Sequence, residues 1–142
     1  MSVKAKGIAH INLKNMDQAI EIKILLIIVT GIYGLLAVTS IFLMIKPPKK
    51  VNSIYGYRSG NAGASQEAWD YANKLAPRLM LLIATVSLVL ALASVYFLHN
   101  KIPVDGLYLI CIMGMCLLQV IIIPVVEIKL GKLEERHKAG SA

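Results

Sequence analysis

The run ILLIIVTGIYGLLAVTSIFLMI, Ile24–Ile45, holds 22 residues without a charged side chain. Two more such runs follow, Leu79–Leu98 and Leu107–Val126, each of 20 residues. At about 1.5 Å of rise per residue, each makes a helix of roughly 30 Å, the thickness of a bilayer's hydrocarbon core. None carries a polar stripe that would face water, which argues against a soluble helical bundle. Composition agrees: 57% of the 142 residues are hydrophobic and 16% charged, against about 45–50% and about 25% in soluble domains. The reading is an all-α membrane protein with three transmembrane helices, over 24–45, 79–98 and 107–126.

Outward from these runs, the flanks set the boundaries. The first run begins only at Ile24 and is too long for the core of a signal peptide, so it is expected to stay in the mature chain. The flank 1–23 mixes lysines with Ile8, Ile11, Leu13 and Ile20. Part of it reads as a short interfacial helix, with Asn15 as N-cap before MDQAIEIK. Residues 127–142 form a charged tail, expected to continue as helix outside the bilayer. Net charge is +7, and the cations flank the apolar runs, where they meet anionic headgroups. Membrane lipids are therefore expected partners, and no nucleic-acid module is present. Cys111 and Cys116 lie five residues apart on one helix, so they point in different directions and cannot pair within it.

The longest polar interruption, 46–78, lies between the first and second runs. It opens with KPPKK, where Pro47 and Pro48 end the first helix and Lys46, Lys49 and Lys50 anchor it. Then comes NSIYGYRSGNAGASQEAWDYAN, Asn52–Asn73, with the chain's single Trp and three of its six Tyr. A short turn would suffice to join two helices, so a loop this long and this specific implies a job. Gly56, Gly60 and Gly63 forbid a long helix before Ser65. From Ser65, a good N-cap, residues 65–76 read as a short interfacial helix. Trp69, Ala72, Asn73 and Ala76 share one of its faces, with the indole expected among headgroups. In the second run Ala84, Ser87, Ala91 and Ser94 make a small-residue stripe that should face another helix.

The chemistry of enzymes is missing. No HExxH, GxSxG or P-loop occurs, and no paired carboxylate stands inside a run. Neither catalytic residues nor cofactor sites are expected, and the chain reads as no enzyme. His10, His99 and His137 lie in three separate flanks, so no metal site is expected. Gln119 is the one strongly polar side chain within a run and reads as a hydrogen-bonding link between helices. Glu127 and Lys129 stand at the exit of the third run, Glu127 being notable if it turns inward. Arg58 is the sharpest candidate. Its planar fork suits a lipid phosphate or a carboxylate; equally, it could pin the loop to the following helix through Glu67 or Asp70.

The pattern Asn52, Gly56-Tyr57-Arg58-Ser59, Trp69 and Ala72-Asn73 resembles the signature of the SdpI family of bacterial membrane proteins. Ser59 stands where that family usually has Thr, which keeps the hydroxyl. The resemblance covers about 24–126. It implies a multi-pass protein of the cell membrane that protects against a membrane-active toxin or binds a regulator through its loop. Toxin, regulator or complex subunits are then the expected protein partners. The alternative is a small accessory subunit of a larger membrane complex. The sequence leaves the oligomeric state open, a homo-oligomer included.

Orientation follows from the cations near the apolar runs. The loop and tail carry ten Lys and Arg, and the N-terminal flank and second turn carry five. The loop and C-terminus are thus expected in the cytoplasm. A cysteine placed at Ser65, with Cys111 and Cys116 replaced, should stay unlabelled by an impermeant reagent in intact cells and react after lysis. Labelling of intact cells would reverse the orientation.

Overall fold

The computed structural model describes residues 3–52 and 54–140, with side chains from Asn15 to Arg136 except Ser53. Four helices follow one another: α1 Val3–Ile45, α2 Gln66–Leu98, α3 Val104–Val120 and α4 Ile122–Gly140. They give three stretches long and apolar enough to cross a membrane: Asn15–Ile45, Gln66–Leu98 and Val104–Arg136, the last made of α3 and α4 together. The chain is a multi-pass membrane protein.

α1 runs unbroken through Asn15, so no separate interfacial helix starts there. Nothing in HINLKNMDQ stops a helix, and the first proline comes only at Pro47. The side chains of His10 and His137 lie outside the described residues. α2 likewise absorbs both the expected short helix over 65–76 and the second apolar run. Ser65 caps it, its Oγ accepting from the Ala68 N–H at 3.1 Å. Pro77 sits inside the helix and removes only the N–H that would have reached residue 73. Burial of Ala72, Asn73, Ala76 and Pro77 itself holds the helix across that gap. Between α3 and α4 the break is a single residue, Ile121. Pro124 has no N–H for the Val120 carbonyl, and the Ile121 N–H turns back to the Leu118 carbonyl at 3.3 Å.

The helices pack in two separate cores. One joins Leu25 and Val29 of α1, Ala91 and Val95 of α2, and Leu107, Cys111 and Met115 of α3. Two side chains tie α1 to the turn at this end: Gln18 Nε2 donates to the His99 carbonyl at 2.9 Å, and the Tyr108 hydroxyl to the Glu21 carbonyl at 3.1 Å. The other core joins Ala72 and Ala76 of α2 to Ile122, Val126 and Leu130 of α4, and takes in Ala62 from the loop. Ala84, Ser87 and Ala91 of the small-residue stripe are buried, and Ser94 is half-buried. The Ala91 carbonyl lies 3.7 Å from Cys111 Sγ, so backbone and thiol approach directly where the side chain is small.

The outer surface is apolar, with Ile27, Leu35 and Val38 each about two-thirds exposed or more. Such a surface suits lipid as solvent. Five hydroxyls inside the spans are satisfied on their own helices: Thr39, Ser40, Thr85, Ser87 and Ser94 each donate to the carbonyl four residues back, at 2.6–2.8 Å. Gln119 is different. Its amide nitrogen and oxygen are buried without a hydrogen-bond partner, so it does not link two helices.

Ala91→Phe should lower the thermal midpoint in mild detergent by several degrees, because the ring must displace Cys111 and overpacking costs about 1–3 kcal/mol. Leu35→Phe, on the exposed side of α1, should leave the midpoint unchanged.

Candidate functional site

The loop between α1 and α2 is held by side chains that replace the backbone partners an irregular segment lacks. It begins with Pro48, which is buried and whose carbonyl accepts from Trp69 Nε1 at 2.9 Å. The Lys49 carbonyl accepts from Gln66 Nε2, also at 2.9 Å. Asn52 then builds a turn. Its Oδ1 accepts from the N–H groups of Ile54 and Tyr55, at 2.9 and 3.1 Å, and its Nδ2 donates to the Lys50 carbonyl.

Gly56 redirects the chain. Its φ of 101° is in the left-handed region, and a Cβ there would strike Asn73 Oδ1 and come within 2.7 Å of Pro48 Cγ. Only glycine meets both demands. The next residue is gripped from two sides. Asn73 Oδ1 accepts from the Tyr57 N–H at 2.7 Å, while Asn73 Nδ2 donates to the carbonyls of Trp69 at 3.0 Å and Tyr57 at 3.3 Å.

Beyond Asn73 the loop reaches α4 through Glu127. The Tyr57 hydroxyl donates to Glu127 Oε1 at 2.9 Å, and Asn61 Nδ2 donates to Oε2 at 2.7 Å. Ser59 hydrogen-bonds the same carboxylate, and its Oγ accepts from the Ala62 N–H at 3.1 Å. Burial of the phenol, the bond to Glu127 and that carboxylate's charge push the Tyr57 pKa up to about 12. Tyr57 therefore stays a protonated donor throughout the physiological range.

Seven of the eight signature residues face inward or serve the loop's own turns: Asn52, Gly56, Tyr57, Ser59, Trp69, Ala72 and Asn73. Ala72 is fully buried against the α4 core. Trp69 does not sit among headgroups. It is 1% exposed, because Pro48 folds back over α2 and supplies its indole N–H with an acceptor. Arg58 is the exception. It is exposed and also takes part in an interaction within the protein. Glu127 is the residue that sequence patterning undervalued; its signal was a lone carboxylate directly after an apolar run. Among the described residues no group of three or more His, Cys, Asp or Glu could hold a metal ion.

Comparison with known proteins places this geometry. Residues 49–126 match the model of the SdpI/YfhL protein family. Over 53 residues the chain is 38% identical to the uncharacterized protein YfhL of Bacillus subtilis (strain 168). That alignment covers 37% of this chain and 48% of YfhL, about half the length of the relative. No solved structure matches.

Gly56→Ala should loosen the whole clamp while the helices stay inserted. In detergent, Trp69 emission should shift to longer wavelength and quenching by acrylamide should rise, with helicity by circular dichroism unchanged. An unaltered spectrum and quenching would show that the loop tolerates a Cβ at this point.

Proposed function

The chain belongs to the SdpI/YfhL protein family, and from that premise we propose a non-enzymatic protein of the immunity type. It protects the cell against a membrane-active toxin, or binds a regulator, through the loop 46–78, which faces the cytoplasm. The observation that carries this reading is the placement of Arg58. Its neighbours Tyr57 and Ser59 are both tied to Glu127, and Tyr57 also to Asn73. Arg58, an exposed residue that also has an interaction within the protein, thus leaves from a backbone whose position is already fixed. A partner that engages it does not have to order the loop first. Arg supplies a planar fork for carboxylate or phosphate that Lys lacks.

The spans support the same reading from the other side. Their polar groups are mostly hydroxyls bonded to their own helices, which suits anchors better than a transport path. The alternative, an accessory subunit of a larger membrane complex, would use the same fixed loop for docking.

Arg58→Ala should abolish protection of toxin-challenged cells at unchanged membrane level, since apolar helices drive insertion. Arg58→Lys should rescue poorly. Full protection by Arg58→Ala at normal levels would remove the arginine from the mechanism. If the wild type protects against no toxin encoded beside it, and instead co-purifies with a fixed set of membrane proteins, the accessory-subunit reading takes over.

A further inference from the structure

Three cations of α4 share one face, with Glu135 at its margin. Glu127 is held by the loop, and Glu134 lines a cavity with Asn61, Ser65 and Glu67. Lys129, Lys132 and Arg136 follow at three- and four-residue steps, which stacks them along the other side of the helix. With Leu133 and Tyr71 of α2 they wall a pocket of about 220 Å³ that no carboxylate lines. All three cations are exposed.

Depth tells what such a pocket meets. The third apolar run ends at Val126. At about 1.5 Å per residue, Lys129 and Lys132 lie roughly 5–9 Å beyond it and Arg136 about 15 Å. The headgroup layer adds about 5–8 Å to each side of the hydrocarbon core, so Lys129 stands within it and Lys132 at its outer edge, while Arg136 leans back toward it because helical side chains tilt toward the N-terminus. Leu133 and the Tyr71 ring give the wall an apolar portion beside the cations. Basic pockets between transmembrane helices are a general means of holding anionic headgroups.

We propose that Lys129, Lys132, Arg136 and Tyr71 form a binding site for the phosphodiester of an anionic phospholipid. The site lies on the side of α4 away from the loop clamp and does not depend on the immunity reading. A lipid seated there braces α4 against α2 and leaves Glu127 to the loop.

The test uses the full chain in a neutral detergent, titrated with phosphatidylglycerol or phosphatidylcholine and read by native mass spectrometry. The wild type should retain phosphatidylglycerol in preference. Lys129→Gln/Lys132→Gln/Arg136→Gln should weaken that binding roughly tenfold or more, as loss of charge-assisted bonds implies. Lys129→Arg/Lys132→Arg should keep it. Lys46→Gln/Lys49→Gln/Lys50→Gln removes as much charge at the same end of the bundle and should cost less than about twofold, because a neutral micelle offers no charged surface. Equal loss in the two neutralised triples would overturn the site in favour of diffuse attraction, and so would equal retention of the two lipids. Displacement of the lipid by inorganic phosphate in excess would reassign the pocket to a free anion and end the lipid proposal.

Discussion

The loop depends on one buried amide. Asn73 projects from α2 and gives residue 57 both an acceptor and a donor, as a neighbouring strand would. No other side chain of its size does both: an ionised aspartate has no donor and a leucine has neither. The need is acute at the edge of a bilayer, where water is a poor substitute for a missing partner. Two other signature residues serve this bond. Gly56 clears the space beside Oδ1, and the Trp69 carbonyl takes the amide's remaining donor. Trp69 in turn fixes Pro48, which closes the loop's entry.

The two cores obey different rules. Toward the α2–α3 turn, helices meet through small side chains and methyl groups with few polar contacts, as expected where lipid removes the hydrophobic driving force between helices. At the loop end, the core of α2 and α4 includes Ala62, a loop residue, and is bordered by Tyr57 and Tyr71. There the polar network around Glu127 adds direction to packing. The loop is therefore part of the fold at one end of the bundle, and α4 cannot shift along α2 without stretching the bonds from Glu127 to Tyr57 and Asn61.

Much of this was legible in the residues. The three spans followed from length and the absence of charge, and the Ser65 cap from local chemistry. The grouping of Asn52, Gly56, Tyr57, Trp69 and Asn73 was visible as a motif, yet its internal wiring was not. Trp69 illustrates why. An amphipathic ring near an apolar run fits headgroups equally well, and only the return of a chain segment 21 positions away supplies the carbonyl that buries it. The expected end of the short helix at residue 76 failed in the same way, because packing carries the helix across Pro77. The continuity of α1 was hidden by its mixed composition, which has no breaker to mark an end and no clear period to mark a face. Glu127 was notable only if it turned inward, and the loop residues that draw it in, Tyr57 and Asn61, lie 66 or more positions away.

α1 is fastened near both membrane surfaces. Gln18 and Tyr108 bind it to the α2–α3 turn, and Pro48, just past its last turn, is bound by Trp69. From Glu21 to Ile45 the helix rises about 36 Å, slightly more than an average hydrocarbon core. With both ends tied, it cannot slide to match a thinner or thicker bilayer. Mismatch is met instead by α1 and α2 as a pair, through a common tilt or a local change in the bilayer. Because Trp69 holds Pro48 to α2, the loop keeps its place on the helix pair whichever way the mismatch is met.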